Sequence, residues 1–345
     1  MKSNVTPFFS IIVPVYNAQQ YIPNLIESLF EKQCLNIKEY EVIVVNDGSK
    51  DDSLHIFQEY AKRYPNLIVI DKVNGGAPSA RNAGVKCARG KYITFVDSDD
   101  IIGTDTLQMV YNWYHTNKHT YDADIFDIDM IITHVIKNVQ GNIFRHQWVK
   151  VLENKIITGK DLFKQYNFTR AITTGTFFRK EFWQENQFYF HEDMKIGDDT
   201  LMFMQCMALA KTITFCDVNF YYVLPAPGSL TTNFRKAVEC YARLVPLTDD
   251  FVRKYQLDKD AVAIVSFYRD SFIWNFLHRA NILNLSIEEI NRIGEPITPY
   301  LPKYFAFLPS KLQFGIQIVK YKLALWVKNH KKIKLLIKRL YIKYL

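Results

Sequence analysis

The first hundred residues alternate short apolar runs with amphipathic stretches, and this alternation limits the folds that the chain can adopt. The runs FFSIIVPVY, EYEVIVVND, LIVI and KYITFV have the length and β-branched content of buried strands. Between them, stretches with apolar residues at helical spacing begin near Pro23, Ser53 and Ser79. Strands that alternate with helices pair in parallel and are covered by those helices. The pattern therefore predicts an α/β domain built on a parallel sheet.

Three of the predicted strands end in polar clusters, at the edge where parallel sheets bind their ligands. Two carboxylates one residue apart, Asp97 and Asp99, can ligate Mg²⁺ or Mn²⁺, with phosphate oxygens and water as the remaining ligands. An ordinary turn at the end of a strand is the alternative interpretation. The clusters are Tyr16-Asn17, Asn46-Asp47-Gly48-Ser49 and Asp97-Ser98-Asp99-Asp100.

Composition excludes several classes of protein. The five cysteines are scattered without CxxC spacing, which argues against a disulfide framework and a structural zinc site. Residues 320–345 contain nine of the 43 Lys and Arg residues and no acid, which leaves 34 basic and 35 acidic residues elsewhere. A nearly neutral body lacks the basic face that nucleic acid requires, so we expect no nucleic-acid partner. Without a signal-peptide pattern or a run of ~18 apolar residues, we expect a cytoplasmic protein.

The pattern changes along the rest of the chain. After Gly103 the alternation weakens, although residues 123–135 and 174–179 resemble strands and residues 198–210 resemble a helix. From Phe234 onward the sequence is mainly helical. We therefore predict a catalytic domain over residues 1–230, a helical region over 231–310 and a basic amphipathic tail over 311–345.

Four strings resemble, in order and spacing, the serial motifs of family 2 glycosyltransferases: IIVPVYNAQQYI, VIVVNDGSKDDS, NGGAPSARNAGVKCARGKYITFVDSDD and GDD. The resemblance is dense over residues 8–105 and thinner over 106–235. It implies a Rossmann-like GT-A domain, a fold of nucleotide-diphospho-sugar transferases, with a mainly helical C-terminal region. It also implies inverting transfer of a hexose or N-acetylhexosamine from a UDP-sugar to an acceptor hydroxyl. The acceptor would be a saccharide or lipid-linked saccharide of a bacterial capsule, exopolysaccharide, lipopolysaccharide or teichoic acid.

The same resemblance implies roles for individual residues. Asp47 is similar to the acid that accepts the uracil N–H in members that use UDP. Asp99 and Asp97 would hold the Mn²⁺ or Mg²⁺ ion. The implied contacts to the nucleotide are Pro14, Tyr16, Asp47, Arg81, Asp97 and Ser98.

An inverting transferase needs a base that takes the proton of the acceptor hydroxyl. In the family this base is the second acid of a Glu-Asp pair at the start of a helix, and KIGDDTLMF has Asp198-Asp199 in that place. The resemblance therefore implies Asp199 as the catalytic base, with Asp198 in place of the usual Glu. Glu192 and Asp193 are alternative bases, and a purely helix-capping role for Asp198 and Asp199 is a further alternative.

The tail has an apolar face and a basic remainder. Such a helix can bind an anionic membrane surface, which would suit an acceptor carried on a lipid. The alternatives are packing on the body of the protein and a contact between copies in a homo-oligomer. Residues of the apolar face are Trp326, Ile333, Leu336, Ile337, Leu340 and Tyr344.

Two other functions agree with parts of the sequence. A nucleotidyltransferase on a similar fold would usually have a Gly-rich phosphate loop near the first strand, and VPVYNAQQYI has none. A non-catalytic, membrane-associated scaffold that retains the fold would bind UDP and Mn²⁺ without turnover. Gly75 and Gly76 do not form GxGxxG, so a nicotinamide or flavin site is not indicated.

Overall fold

The computed structural model describes residues 6–117, 128–139, 142–144, 152–153, 155–170, 172–225 and 233–300. The chain divides into two compact units, residues 1–228 and 229–345. The predicted tail, residues 311–345, lies outside the described residues. The three predicted domain limits stay predictions.

The first part of unit one is the predicted parallel sheet. Its strands lie in the order β3-β2-β1-β4, and each neighbouring pair is parallel, which confirms the prediction. The first helix continues into a π-helical turn over Glu27–Glu31. The elements are β1 (Phe9–Val15), α1 (Ile22–Ile26), β2 (Tyr40–Asp47), α2 (Ser53–Arg63), β3 (Leu67–Lys72), α3 (Ala77–Cys87) and β4 (Tyr92–Phe95).

Burial explains why these strands occupy these places. Every residue of β1 and β2 is buried, whereas β3 at the edge is partly exposed. Pro14 lies in β1 beyond its last pair with β4, which joins Ile12 to Phe95. Pro14 still pairs with Val45 of β2, but a proline lacks the N–H that a ladder needs, and its position past the ladder with β4 is where the strand tolerates it.

The rest of unit one extends the sheet with mixed strand directions. Strand β8 pairs antiparallel with both β4 and β6, β6 pairs in parallel with β9, and β9 pairs antiparallel with β5. Strand β7 pairs antiparallel with β6, so the nine strands in the described part of the chain form one sheet. The elements are β5 (Ile101–Ile102), α4 (Thr106–Asn117), β6 (Met130–Val139), β7 (Asn142–Phe144), α5 (Gly159–Tyr166), β8 (Thr176–Arg179), α6 (Lys180–Glu185), α7 (Asp198–Leu209) and β9 (Ile213–Val223).

Two of the predicted elements in this part have different limits in the structure. The strand predicted over residues 123–135 is described from Met130, and residues 118–127 lie outside the described residues. The strand predicted from residue 174 begins at Thr176. The reason is a turn at Thr174 and Gly175, where Gly175 has φ of +68°, a left-handed conformation that extended strands do not use.

Unit two is helical in its described part, as predicted. Its helices begin at residues whose side chains accept a hydrogen bond from the first turn: Asn233, Asp258 and Ser286, the last in a capping box with Glu289. Across the described ranges of both units, no helix is long and apolar enough to cross a bilayer. The elements are α8 (Phe234–Tyr255), α9 (Lys259–Ile282), α10 (Ile287–Ile293) and a 3₁₀ helix (Glu295–Tyr300).

Candidate active site

Hydrogen bonds join the loops that follow β1 and β2. The Asn17 backbone N–H donates to Ser49 Oγ at 3.0 Å, and the Lys50 N–H donates to Asn17 Oδ1 at 2.7 Å. At the next residue, the Ala18 N–H donates to Ser53 Oγ at 2.9 Å. These bonds fix the two loops to each other at the carboxyl edge of the sheet. Tyr16 lies at this edge with 49% of its surface exposed.

Asp47 is buried and holds the loop that follows β3. Its Oδ1 accepts hydrogen bonds from Lys72 Nζ at 2.7 Å and the Gly75 N–H at 2.9 Å, and its Oδ2 accepts one from the Gly76 N–H at 2.6 Å. A carboxylate has about four acceptor positions, so Oδ2 retains room for one more donor. Gly48 allows the loop to approach closely, because a Cβ there would lie 2.9 Å from the Asn74 backbone nitrogen.

Arg81 lies buried among three carboxylates, Asp97 after β4 and the adjacent Asp198 and Asp199 at the start of α7. Its Nη2 donates to Asp97 Oδ1 at 2.9 Å and its Nη1 donates to Asp198 Oδ2 at 2.8 Å, while Asp199 Oδ1 lies 3.5 Å from Nη1. The guanidinium also lies over the Phe190 ring, 5.4 Å from its centroid. The structure thus gives Arg81 carboxylate partners, and its contact with the nucleotide stays a prediction.

This cluster has more negative than positive charge. Burial lowers the pKa of Arg81, but the charges of Asp199, Asp97 and Asp198 outweigh burial and raise it. Burial raises the pKa of both Asp198 and Asp199, and Arg81 opposes the rise in each case. A carboxylate whose pKa is raised is a better proton acceptor at neutral pH. The cluster is therefore suited to general-base chemistry.

Asp199 is the more accessible acid of the predicted pair. Its side chain is 24% exposed, whereas that of Asp198 is 9% exposed and bound to Arg81. Both acids lie in the first turn of α7, which follows Gly197. Among the described residues, Asp199 accepts one side-chain hydrogen bond, from Thr173 Oγ1 to Oδ1 at 3.0 Å, and none is made to Oδ2. Accessibility favours Asp199 over Asp198 as the group that meets a substrate.

The two alternative bases lie in a different environment. Glu192 is exposed and accepts a hydrogen bond from Asn82 Nδ2 at 3.1 Å. Hydrogen bonds from Asn82 and Ser79 lower the pKa of Glu192, which makes it a weaker base. Asp193 is exposed beside it. Neither acid is bonded to Arg81 in the described structure.

The Asp97 loop is fixed by the last residues of β9 and the chain that follows. The Asp97 N–H donates to the Tyr221 hydroxyl at 3.1 Å, and that hydroxyl donates to Asp100 Oδ2 at 2.6 Å. The Leu224 N–H donates to Asp100 Oδ1 at 2.8 Å. Burial raises the pKa of Asp100 to about 7, although these two bonds oppose the rise. A buried network therefore sets the backbone position of Asp97.

Asp99 and Asp97 provide oxygen ligands of the kind that Mg²⁺ and Mn²⁺ prefer. Within the described part of the chain, no side chain hydrogen-bonds or forms an ion pair with Asp99. Burial and the charge of Asp97 raise the pKa of Asp99, so a cation here would offset an uncompensated negative charge. The pair fits a divalent ion that takes its other ligands from phosphate and water. No cluster of three or more metal-ligating side chains occurs among the residues described.

The sequence did not single out four residues that shape this site: Lys72, Asp100, Thr173 and Tyr221. Asp100 is part of the DSDD string, so its position was visible although its role was not. Tyr221 lies 121 residues from its partner Asp100, and Thr173 lies 26 residues from Asp199. Nothing in the local spacing of either residue indicates such a contact. Ser98 is partly buried at the tip of the loop, and its nucleotide contact stays a prediction.

Comparisons with known proteins place this fold and motif order in one family. The model of Glycosyl transferase family 2 matches residues 10–212. EpsJ of Bacillus subtilis (strain 168), described as an uncharacterized glycosyltransferase, is 32% identical over 232 residues, which cover 65% of this chain and 63% of EpsJ. A poly(ribitol-phosphate) β-glucosyltransferase of Bacillus spizizenii is 33% identical over 224 residues, 64% of this chain and 32% of that protein. The chain thus spans less than two thirds of the length of either relative.

A solved structure shows the same architecture. The crystal structure of S. aureus TarS residues 1–349 in complex with UDP-GlcNAc superposes with a TM-score of 0.62 at 25% identity. The match covers 86% of this chain and 82% of the TarS chain. It confirms the predicted GT-A fold with a mainly helical C-terminal region. With a family match over more than half its length, the chain belongs to glycosyl transferase family 2.

Proposed function

We propose that this protein is an inverting, metal-dependent glycosyltransferase. It moves a hexose or N-acetylhexosamine from a UDP-sugar to a hydroxyl of a bacterial cell-envelope glycan. The family match supports the activity class, and the TarS complex with UDP-GlcNAc supports a UDP-sugar donor. The poly(ribitol-phosphate) β-glucosyltransferase among its relatives supports an acceptor of the teichoic-acid type.

The observation that carries the proposal is the shared guanidinium of Arg81. It bonds Asp97, at the end of the fourth parallel strand, and Asp198, at the start of α7, and its Nη1 lies 3.5 Å from Oδ1 of the neighbouring Asp199. A site for the donor diphosphate and a carboxylate for the acceptor are therefore held by one side chain. Transfer requires those two groups to be close to each other and correctly oriented.

The donor would bind along the carboxyl edge of the sheet. Tyr16 is exposed there and can pack on a nucleobase. Asp47 Oδ2 has one unused acceptor position for the uracil N–H, while Lys72, Gly75 and Gly76 hold the carboxylate in place. A divalent cation held by Asp97 and Asp99 would neutralise the charge that develops on the departing diphosphate.

Asp199 would act on the acceptor. Its carboxylate takes the proton of the acceptor hydroxyl as that oxygen attacks the anomeric carbon, from the face opposite the diphosphate. The new C–O bond forms, the bond between the anomeric carbon and the diphosphate oxygen breaks with its electron pair on that oxygen, and UDP departs. The raised pKa of Asp199 favours the proton transfer.

The test is release of UDP or GDP from a panel of UDP- and GDP-sugars, with nucleoside triphosphates assayed beside them, in Mn²⁺, in Mg²⁺ and with a chelator. Each donor is assayed with water alone and with poly(ribitol phosphate) as acceptor. We expect release from at least one UDP-sugar, dependent on the divalent ion and about 10²–10⁴-fold slower in Asp199→Asn. Binding of UDP and Mn²⁺ without release from any donor would instead identify a non-catalytic scaffold. Product released only from nucleoside triphosphates would identify a nucleotidyltransferase.

We also propose that residues 320–345 attach the protein to an anionic membrane surface on the cytoplasmic side. The support is the sequence itself, in which nine basic residues and an apolar face coincide. The full chain should sediment with vesicles that contain phosphatidylglycerol and dissociate in high salt, whereas a chain ending at residue 319 should stay in solution. Salt-insensitive self-association of the full chain, lost in the truncated one, would identify an oligomer contact instead.

A further inference from the structure

The turn before β8 contacts the proposed base. Thr173 is completely buried, and its hydroxyl donates to Asp199 Oδ1 at 3.0 Å. Arg81 Nη1 lies 3.5 Å from the same oxygen. Both neighbours of the carboxylate thus lie on Oδ1, while the described residues make no hydrogen bond to Oδ2.

The sheet fixes the position of Thr173, independently of the helix that carries Asp199. Strand β8 pairs with β4 on one side and β6 on the other, so the turn that precedes it has little freedom. The turn is further held by the buried Arg170, whose guanidinium donates to the Thr174 carbonyl oxygen. The Thr173 hydroxyl is therefore a hydrogen-bond donor whose position is fixed by the sheet and the turn.

The helix itself does not determine the direction of the Asp199 carboxylate. Gly197 precedes α7 at the N-cap position and offers no side chain to the first turn. The charged groups that face Asp199 are Arg81, which attracts it, and Asp97 and Asp198, which repel it. Left to these charges, the carboxylate would turn away from the other acids or take up a proton. A hydrogen bond donated to the charged form opposes both.

We propose that Thr173 is the positioning residue of the base: its hydroxyl, together with Arg81, holds Asp199 Oδ1 so that Oδ2 is the oxygen that takes the acceptor proton. This inference rests on the proposed function. Thr173 acts through Asp199 and does not itself contact the substrate. An error of about 1 Å in the position of a catalytic group can cost about 100-fold in rate, so a single buried hydroxyl at this place matters.

The experiment compares four variants in UDP release from the donor that the wild-type protein turns over fastest. Thr173→Val keeps the shape of the side chain and removes the donor, whereas Thr173→Ser keeps the donor. Thr176→Val is the matched control, because the Thr176 hydroxyl is also buried near this turn but has no hydrogen-bond partner among the residues that the structure describes. Asp199→Asn shows the result of losing the base itself.

We expect Thr173→Val to lower kcat about 10- to 100-fold and to change KM for the donor by less than about threefold. Thr173→Ser should restore kcat to within about threefold of wild type, and Thr176→Val should behave as wild type. Because the Thr173 hydrogen bond lowers the pKa of Asp199, its loss should move the acid limb of the kcat/KM profile of Thr173→Val to higher pH. A purely structural role would lower the unfolding temperature without moving this limb.

The possible outcomes distinguish a failure of this inference from a failure of the proposed function. Wild-type kcat and an unmoved pH profile in Thr173→Val, alongside an inactive Asp199→Asn, would overturn the inference and leave the function intact. Equal losses in Thr173→Val and Thr173→Ser, matched by equal losses of thermal stability, would show a packing role and also overturn it. No UDP release by the wild-type protein from any donor would overturn the proposed function and the inference with it.

Discussion

The two ends of the parallel half of the sheet differ in how many hydrogen-bond partners their carboxylates have. At the amino end, Glu41 is 1% exposed and accepts four hydrogen bonds. Ser10 Oγ and the Arg89 N–H donate to Oε1 at 2.7 Å each. Arg89 Nε and Nη2 donate to Oε2 at 2.9 Å and 2.7 Å. The charge of this carboxylate is satisfied within the protein.

At the carboxyl end, four acids have too few partners. Asp97, Asp198 and Asp199 share the single guanidinium of Arg81, and within the described structure Asp99 has no side-chain partner. A buried charge without compensation destabilises a fold. Such an arrangement therefore persists where a bound ligand or a proton compensates the negative charge. The difference indicates which end maintains the fold and which end performs chemistry. Four substitutions test this difference, in decreasing order of their effect on turnover.

Asp199→Asn should reduce turnover the most. The amide cannot accept the acceptor proton, so kcat should fall by about 10²–10⁴-fold with little change in UDP affinity. Thermal unfolding should show a stability equal to or above that of wild type, since a repelled charge is removed. Asp198→Asn is the control and should lose much less activity. If Asp198→Asn or Glu192→Gln is the inactive variant, Asp199 is not the base.

Asp99→Asn should follow, with a loss of about 10²–10³-fold in turnover. The substitution replaces a charged ligand of the proposed cation, so the concentration of Mn²⁺ for half-maximal activity should rise. Without divalent ions, its unfolding temperature should match or exceed that of wild type. Unchanged activity and unchanged Mn²⁺ dependence would show that the cation does not bind at this carboxylate.

Tyr221→Phe tests a residue that serves both the fold and the site. It removes the hydroxyl between the Asp97 N–H and Asp100, so buried Asp100 loses one donor. We expect a loss of about 1–3 kcal/mol in the free energy of unfolding. Loss of the hydroxyl should also shift the Asp97 loop. If this shift raises the activation free energy by ~1 kcal/mol, turnover should fall by about 3- to 10-fold. Calorimetry and UDP release measure the two quantities; a change in neither would show that the network does not hold the loop.

Glu41→Gln should leave turnover nearly unchanged and lower stability clearly. The amide places N–H donors against those of Arg89, which should cost about 1–3 kcal/mol in the free energy of unfolding. At 25 °C, kcat should stay within about twofold of wild type, since the site lies at the other end of the sheet. Denaturant titration compares the two variants. If Asp99→Asn loses more stability than Glu41→Gln, it is wrong that the amino end maintains the fold while the carboxyl end performs the chemistry.

Much of the fold was predictable because the relevant information is local. The strands β1, β2, β3 and β4 appear as apolar runs, and their polar ends Asp47 and Asp97 were visible as the edge where a ligand would bind. The helices of unit two were equally visible from their apolar spacing. The mixed pairing of β6, β8 and β9 was not predictable, since the direction of a strand depends on how the connecting chain returns to the sheet.

Residue order alone was enough to identify the family, the parallel half of the sheet and the acids that stand at its carboxyl edge. These follow from side-chain periodicity and from motif order, both of which are properties of neighbouring residues. The partners of the acids, in contrast, depend on the folded chain. Arg81 meets Asp198 across 117 residues, Tyr221 meets Asp100 across 121, and Thr173 meets Asp199 across a turn and a helix start. Such contacts depend on strand order and on which elements pack together, and no local spacing encodes them.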